Sequence, residues 1–250
     1  MTARRRLRSA RAQATHAILA GGLGTRLRPV AGGEPKALVP VHGRPFLEWL
    51  LVALRRRGVR RVVLCTGVGH DRIAAAFGDG RGLGVQLTYS VESSPLGTAG
   101  AVVPALPLLR DPFVLWNGDT FSTIHWRGLW ESHLMRGALA TIAVVRAADA
   151  RDFGSVTFAS NRRVLAFDEK VAGGGPQWIN GGVYALSHAA LRGIPADRAA
   201  SLERDVFPSL VRRTRRVYAY RARRPVFDIG TPDRLAQFSQ EFARGDLVRP

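Results

Sequence analysis

Short apolar runs alternate with helix-like segments from Thr15 onward, and this alternation predicts strand-crossover-strand units around a mostly parallel sheet. Strands are predicted at 16–20, 62–66, 85–89, 113–116, 140–145, 155–158, 164–168, 179–185 and 217–220. Helices are predicted at 45–57, 71–77, 98–106, 202–211 and 232–243, the first with apolar side chains at spacings of three and four. The second half has more strands and fewer crossovers, which predicts a sheet extension or a lid lobe.

The chain length of 250 residues, with 46% apolar and 22% charged residues, is typical of one compact domain. Residues 1–13 are rich in Arg and Ala without a clear period, and we expect a flexible basic extension before a domain at 14–250. No apolar stretch approaches the roughly 20 residues of a membrane span, and no signal-peptide core follows the N-terminal arginines, which favours the cytoplasm. The single cysteine, Cys65, lies in an apolar run and is expected to be a buried core thiol.

The charge balance is strongly basic, with a formal net charge of +18. Such a charge is typical of nucleic-acid-binding proteins, but no zinc-finger, RRM or basic-zipper signature is present and the arginine clusters lack interleaved aromatic residues. We therefore interpret most arginines as solvated surface charge and expect no nucleic-acid partner. Among the 37 basic residues, lysine occurs only at Lys36 and Lys170. Lysine retained against such a bias indicates positions that need a compact ammonium group.

A glycine-rich turn follows the first predicted strand. Gly21, Gly22, Gly24, Thr25 and Arg26 combine glycines, which let backbone amides approach an anion closely, with a charged guanidinium fork. The turn differs from the common phosphate loop, which ends in Lys followed by Ser or Thr, and from the dinucleotide fingerprint, which has a third glycine. The pattern favours a phosphate site, with a purely structural turn as the alternative.

Two aspartates are each placed where a buried framework ends. Asp119 follows the predicted strand at 113–116, at the carboxyl edge where open α/β sheets bind ligands. Asp228 lies between apolar residues and Gly230, just before a helix that begins with proline. Two carboxylates completed by water and phosphate oxygens suit Mg²⁺. For Asp228, a helix N-cap is the alternative.

Six short motifs occur in order along the chain: GGLGTRL at 21–27, PKALVPV at 35–41, GD at 118–119, FDEK at 167–170, NGG at 180–182 and DIGTP at 228–232. This combination resembles the nucleotidyltransferases that join a sugar 1-phosphate to a nucleoside triphosphate, and the resemblance covers nearly the whole chain after residue 14. SPLGTAG at 94–100, INGGVY at 179–184 and SLERD at 201–205 are most similar to the short guanylyltransferases of D-glycero-α-D-manno-heptose 1-phosphate. Mannose-1-phosphate guanylyltransferases share several of these segments.

The resemblance implies an α/β fold of the nucleotide-diphospho-sugar transferase type, in which helices flank a mostly parallel, Rossmann-like central sheet beside a small sugar-binding lobe. It implies a nucleotide-binding half at about 14–122 and a sugar-binding half at about 123–250. The implied reaction transfers a nucleotidyl group from a nucleoside triphosphate, with GTP favoured, to a sugar 1-phosphate, with the heptose favoured, and releases pyrophosphate. Alternatives are mannose 1-phosphate or another substrate pair, and a non-catalytic or regulatory nucleotide-sugar binder. A homo-oligomer stays open.

Carried over position by position, the resemblance also implies a role for each matching residue. The nucleotide would be bound by Leu19, Ala20, Gly21, Gly22, Gly24, Thr25, Arg26, Lys36, Glu92, Gly97, Thr98 and Asp119. The sugar phosphate would be bound by Gly154, Glu169, Lys170, Asn180 and Gly181. Catalysis would rest on Arg26, Lys36, Asp119, Lys170 and Asp228, with Asp119 and Asp228 holding Mg²⁺.

Glu92 is the candidate reader of the base. In thymidylyl and uridylyl relatives the matching position resembles a glutamine, which donates and accepts hydrogen bonds, whereas a carboxylate only accepts. Guanine alone presents two adjacent donors that a carboxylate can bridge, so Glu92 favours GTP unless its side chain points to solvent. Because the attacking phosphate oxygen is already ionised near neutral pH, we expect no catalytic histidine. The six histidines lie in contexts typical of loops and helix surfaces.

Overall fold

The computed structural model describes residues 14–22, 24–27, 31–148, 150, 153–169, 175–223 and 225–244. The predicted extension at 1–13 and Lys170 lie outside these residues. The strands are β1 (Thr15–Leu19), β2 (Pro40–Val41), β3 (Arg44–Pro45), β4 (Arg61–Thr66), β5 (Gln86–Val91), β6 (Phe113–Asn117), β7 (Thr120–Ser122), β8 (Ala140–Ala147), β9 (Ser155–Phe158), β10 (Val164–Asp168), β11 (Gln177–Leu186), β12 (Val217–Arg221) and β13 (Val226–Asp228). The α-helices are α1 (Phe46–Arg56), α2 (His70–Phe77), α3 (Gly97–Gly100), α4 (Trp126–Arg136), α5 (Phe207–Arg213) and α6 (Pro232–Ala243). In this part of the chain, no helix has both the length and the apolar character needed to cross a membrane.

Most strands belong to one sheet, in the order β10-β9-β11-β6-β1-β4-β5, with β8 paired to β11 and β12 paired to β8. β1 is parallel to both β4 and β6, and β4 is parallel to β5. β11 runs antiparallel to β6, β8 and β9, whereas β8 and β12 are parallel. The predicted α/β fold with a mostly parallel central sheet is therefore confirmed. Because the chain adds β4 and β5 on one side of β1 and β6 on the other, the strand order reverses beside β1.

The central strands are buried on both faces, as expected when other elements cover a parallel sheet. Along β6, Phe113 and Leu115 face one apolar cluster, while Val114 and Trp116 face another. Helix α1 packs on the second cluster through Leu50, and α5 contributes to the first. Each fully buried side chain of this size contributes about 1.5–3 kcal/mol relative to exposure. This packing fixes the carboxyl ends of β1 and β6.

The sequence placed the strands of the main sheet to within two residues, but two predicted helices are wrong in form. The helix predicted at 98–106 is the short α3 followed by a 3-10 helix at Val103–Leu108, because Pro104 and Pro107 have no N–H donor. The helix predicted at 202–211 is a π-helical turn at Leu202–Val206 that continues into α5. Only the later part is α-helical, with a proline in its first turn.

Helix α4 is absent from the sequence prediction. Its buried side chains are Trp126, Leu129, Trp130 and His133, at spacings of three, one and three, and it ends at Gly137 in the left-handed conformation. Three of these four residues are Trp or His, so the stripe is weakly apolar by residue type. The spacing itself was readable, since such positions share one helix face.

Buried titratable groups confirm one prediction and contradict another. Cys65 is buried, and burial raises the pKa of its thiol to about 12, which keeps it protonated. The expectation that histidines lie in loops and on helix surfaces is wrong for two of them. His16 lies on β1, where its Nδ1 accepts a hydrogen bond from Trp116, and His133 is buried beside Thr141.

Lowering the pH from about 7.5 to about 5 is expected to destabilise the protein through these two histidines. Burial lowers the pKa of His16 to about 3 and that of His133 to about 4. Each histidine takes up a proton near pH 6.5 in the unfolded chain but stays neutral in the folded one. Stability is therefore complete above pH 6.5 and falls below it, by about 1.4 kcal/mol per pH unit for each histidine. Urea unfolding followed by tryptophan fluorescence measures the loss.

Two variants separate this effect from general acid destabilisation. His16→Gln removes one titrating group and is expected to reduce the pH dependence below pH 6.5 by about half. His133→Gln removes the other buried histidine and is expected to reduce the pH dependence by a similar amount. The same slope in the wild type and in His16→Gln would contradict the assignment to His16.

Candidate functional site

A cleft of about 300 Å³ opens at the carboxyl ends of β1 and β6, where the strand order reverses. Open α/β sheets bind ligands at this position. The lining includes these predicted nucleotide-binding residues: Leu19, Ala20, Gly21, Gly22, Lys36, Glu92, Gly97, Thr98 and Asp119. It also includes Ala37, Pro95, Ala101, Asn117 and Gly118, which the sequence analysis did not assign to the nucleotide. Gly24, Thr25 and Arg26 are not part of this lining.

The glycine turn continues into a short 3-10 helix at Thr25–Leu27. Leu27 is buried, whereas Arg26 is exposed and is not part of the cleft lining. Gly24 has a φ of +58°, and a side chain there would start 3.1 Å from Lys36 Cβ, so the turn packs closely against the lysine stem. The contact of Arg26 with phosphate therefore stays a prediction. It would require phosphates that extend beyond the residues lining the cleft.

Lys36 and Asp119 form an ion pair inside the cleft. Lys36 Nζ donates to Asp119 Oδ2 at 2.6 Å, and the lysine side chain is only 13% exposed. Thr120 Oγ1 donates to the other carboxylate oxygen at 3.2 Å. The cation and the carboxylate that the sequence predicted independently therefore lie in contact, beside the glycine turn.

Asp228 is brought next to Asp119 by the short strands β7 and β13, which the sequence analysis missed. The strands pair antiparallel with Asp228 opposite Thr120, and the Ile229 N–H donates to the Asp119 carbonyl at 2.9 Å. A side chain at Gly230 would start 2.7 Å from Asp228 Oδ1 and 3.3 Å from Lys36 Nζ. Asp228 is not part of the cleft lining, but its carboxylate and the Lys36 ammonium both lie beside Gly230, next to the end of the cleft that Lys36 and Asp119 line.

Asp228 is not a helix N-cap, so the alternative role that the sequence left open is wrong. The N-cap of α6 is Thr231, whose side chain accepts from Arg234 N. Asp228 Oδ1 instead accepts from Gly230 N at 2.6 Å and from the Arg234 guanidinium at 3.2 Å. The carboxylate is held in place by its own loop and by one cation.

Glu92 lines the cleft and does not point into bulk solvent. Its Oε2 accepts from Leu96 N at 3.1 Å, and its Oε1 lies 2.9 Å from the position of a side chain at Gly21. Burial raises the pKa of Glu92, and the Leu96 N–H bond partly offsets this effect. Glycine at position 21 leaves room for the Glu92 carboxylate. The sequence of the turn alone did not reveal this reason for a glycine there.

The residues predicted to bind the sugar phosphate are brought together only in part. Asn180 N donates to Gly154 O at 2.8 Å, so these two residues lie side by side, with Gly181 next in the chain. Glu169 instead pairs with Arg204, with Oε2 2.6 Å from Nε, on a partly exposed surface. Lys170 lies outside the described residues.

A polar network that the sequence analysis missed joins the two predicted substrate regions. Thr98 Oγ1 donates to Glu203 Oε2 at 2.6 Å. The Tyr184 hydroxyl donates to Glu203 Oε1 at 3.2 Å and accepts from Asn180 Nδ2 at 2.7 Å. Burial and the Glu203 carboxylate raise the pKa of Tyr184 well above its ordinary value, so the hydroxyl stays protonated. Thr98 and Asn180 are thus linked through two side chains.

The amino-acid sequence is similar to those of known proteins over most of its length. The family model described as "Nucleotidyl transferase" matches residues 16–245. The mannose-1-phosphate guanylyltransferase of Mycobacterium tuberculosis is 36% identical over 235 residues, which are 93% of this chain and 66% of that protein. The D-glycero-alpha-D-manno-heptose 1-phosphate guanylyltransferase of Aneurinibacillus thermoaerophilus is 33% identical over 90% of this chain and 96% of its own length.

A solved structure agrees with the sequence comparisons. The crystal structure of HddC from Yersinia pseudotuberculosis complexed with GMP-PN has a TM-score of 0.81 and 31% identity, and the match covers 92% of this chain and 99% of that one. The family model spans β1 through α6, and therefore includes every residue of the cleft. The chain belongs to the nucleotidyl transferase family.

Proposed function

We propose that the protein is a sugar-1-phosphate guanylyltransferase, which transfers GMP from GTP to a sugar 1-phosphate and releases pyrophosphate. D-glycero-α-D-manno-heptose 1-phosphate is the favoured acceptor, because the relative of that name matches the chain over nearly its whole length. Mannose 1-phosphate is the alternative acceptor, supported by the relative at 36% identity. The complex of HddC with GMP-PN supports GTP as the donor.

The observation that carries the proposal is the composition of one cleft. Lys36, Asp119 and Glu92 all line it, at the point where the strand order reverses. Its volume of about 300 Å³ is within the range of small-molecule sites. A cation, a carboxylate beside it and a second carboxylate on the same cleft suit a nucleoside triphosphate.

The proposed reaction is an in-line displacement. An oxygen of the sugar phosphate forms a bond to the α-phosphorus, the bond to the β-phosphate oxygen breaks, and the electron pair leaves with pyrophosphate. Because the attacking oxygen is ionised near neutral pH, no general base is needed. The protein must align two polyanions, and alignment supplies on the order of 7–11 kcal/mol in favourable cases. The Lys36 ammonium would offset their repulsion and stabilise charge on the departing oxygen.

Mg²⁺ is part of the proposal, and the donor set fits it. No group of three or more His, Cys, Asp or Glu side chains among the described residues could hold a metal ion. Asp119 and Asp228 supply two carboxylates, and Mg²⁺ commonly takes one or two carboxylates together with water and substrate phosphates. The ion would neutralise phosphate charge when bound. The residues proposed to hold it are Asp119 and Asp228.

The experiment that tests the proposal is a matrix of triphosphates against sugar 1-phosphates, read as pyrophosphate release with Mg²⁺. GTP with the heptose 1-phosphate is expected to give the highest kcat/KM, followed by GTP with mannose 1-phosphate. Pyrophosphate release only from UTP or dTTP would contradict the assignment of the base. Nucleotide binding without pyrophosphate release for any pair would identify a non-catalytic binder instead.

The same matrix tests Glu92 as the reader of guanine. In Glu92→Gln the side chain presents one acceptor and one donor to two guanine donors, so a desolvated donor is left without a partner. We expect kcat/KM for GTP to fall by roughly 10²-fold and the ratio of dTTP to GTP turnover to rise. Glu241→Gln, at the exposed Glu241 ion pair with Arg244, is the matched control. Equal losses for all triphosphates in Glu92→Gln would show that Glu92 supports the fold and does not read the base.

A further inference from the structure

A second cavity, of about 640 Å³, lies on the strands β8, β11 and β12 and shares no lining residue with the catalytic cleft. Its charged lining consists of Arg146, Arg162, Arg221 and Arg223, around the half-buried ring of Trp178. Among the described residues that line it, none is acidic. Part of the strong positive charge of the chain is therefore concentrated in one recess.

The guanidinium groups are oriented by aromatic rings and not by carboxylates. Arg146 and Arg221 lie over the Trp178 ring, with 5.7 and 4.6 Å from the guanidinium carbon to the ring centroid. Arg162 lies over Phe158 at 5.7 Å. Within the described chain, no ion pair joins any arginine of this cavity to an Asp or Glu. Stacking uses the ring-facing surface of each guanidinium and leaves its N–H edges for another acceptor.

Arg162 is held in this cavity by an unfavourable backbone conformation. Its φ is +72°, in the left-handed region that disfavours residues with a side chain. The conformation is fixed because Arg162 N donates to Ala159 O and Ala219 N donates to Arg162 O, both at 2.8 Å. The turn and the neighbouring strand β12 thus hold this arginine on the same recess as Arg221.

We propose that this cavity binds a small polyphosphate anion. Four like charges in one recess repel one another, and a multivalent anion removes that repulsion. Planar guanidinium forks pair with phosphate oxygens through two parallel hydrogen bonds each. The cavity volume accommodates a chain of two or three phosphates, either as an inorganic anion or as the polyphosphate part of a nucleotide.

Isothermal titration calorimetry with inorganic tripolyphosphate tests the proposal, at about 50 and about 300 mM salt. The test variant is the pair Arg146→Gln and Arg221→Gln. The control is the pair Arg61→Gln and Arg192→Gln, which removes the same charge from exposed positions outside the cavity. We expect the test pair to lose one tripolyphosphate site, with affinity reduced about tenfold or more, and the control pair to stay within about twofold.

Further titrations distinguish the sources of the anion. GTP binding to the site lost in the test pair, with higher affinity than tripolyphosphate, identifies a nucleotide as the ligand; equal affinity identifies the phosphate chain alone. Equal losses in the test and control pairs would overturn the proposal, because they indicate unspecific charge attraction. Tighter binding of a single-stranded oligonucleotide of roughly 20 nucleotides, lost in the test pair, would also overturn it in favour of a nucleic-acid surface. These titrations measure binding at the arginine cavity, so their outcomes do not depend on whether the cleft catalyses the proposed reaction.

Discussion

Replacing Asp119 with asparagine is expected to lower kcat by roughly 10³-fold or more, about 4 kcal/mol, without unfolding the protein. The amide is nearly the same shape, so the fold retains the 3.2 Å contact with Thr120. It has no charge, however, and cannot hold a divalent ion against the phosphates. The backbone bond from Ile229 N to Asp119 O does not depend on the side chain and preserves the position of β13. Single-turnover kinetics with saturating GTP measures the loss.

A metal-binding measurement makes the Asp119 prediction independent of turnover. Binding of Mn²⁺ in the presence of GTP, followed by its EPR signal, is expected to weaken in Asp119→Asn and in Asp228→Asn alike. Asp79→Asn is the matched control, because Asp79 is an exposed carboxylate that pairs with Arg81 and is not part of the cleft lining. Unchanged Mn²⁺ affinity in both cleft variants would refute the proposed role of the two aspartates in holding the ion.

The parallel part of the fold was predictable from the sequence, and the reason is visible in β6. Its residues 113–116 are apolar without alternation, which is typical of a strand buried on both faces. Helix α4 and the short strands β7 and β13 were missed for opposite reasons. Three of the four buried residues of α4 are tryptophan or histidine, and strands of three residues carry too little pattern to recognise.

The sequence predicted those site residues whose type and position together indicate one chemical role. Lys36 and Asp119 were identified from rarity and strand position, and the structure places them in contact. Glu203 was missed because its role is defined by partners distant in sequence. Its carboxylate accepts from Thr98, 105 residues away, and from Tyr184, 19 residues away. Such a network exists only after the sheet has formed, so no local pattern could reveal it.

The Lys36–Asp119 ion pair gives Lys36 two successive roles. In the structure, the ammonium pairs with the partly buried Asp119 carboxylate at 2.6 Å. Among the described residues that line the cleft, Lys36 is the one cation, so we propose that the same ammonium meets the phosphates of a bound nucleotide. Glycines at 24 and 230 leave room for this side chain, since an added Cβ would start 3.1 Å from its Cβ and 3.3 Å from its Nζ. A planar guanidinium is wider than an ammonium, so we expect arginine not to reproduce the same contact with Asp119.

Lys36→Met is therefore expected to lower kcat/KM by roughly 10²- to 10³-fold, because it removes a preorganised cation from the phosphate site. Lys36→Arg restores the charge but is expected to recover less than about tenfold of the loss, since the guanidinium cannot occupy the same position. Steady-state kinetics on these two variants, on Asp119→Asn and on the double variant Lys36→Met with Asp119→Asn completes a double-mutant cycle. Because both side chains act on the same phosphates, the double loss is expected to be smaller than the sum of the single losses in free energy. Strict additivity, or full activity of Lys36→Arg, would show that the compact ammonium at this position is not what the reaction uses.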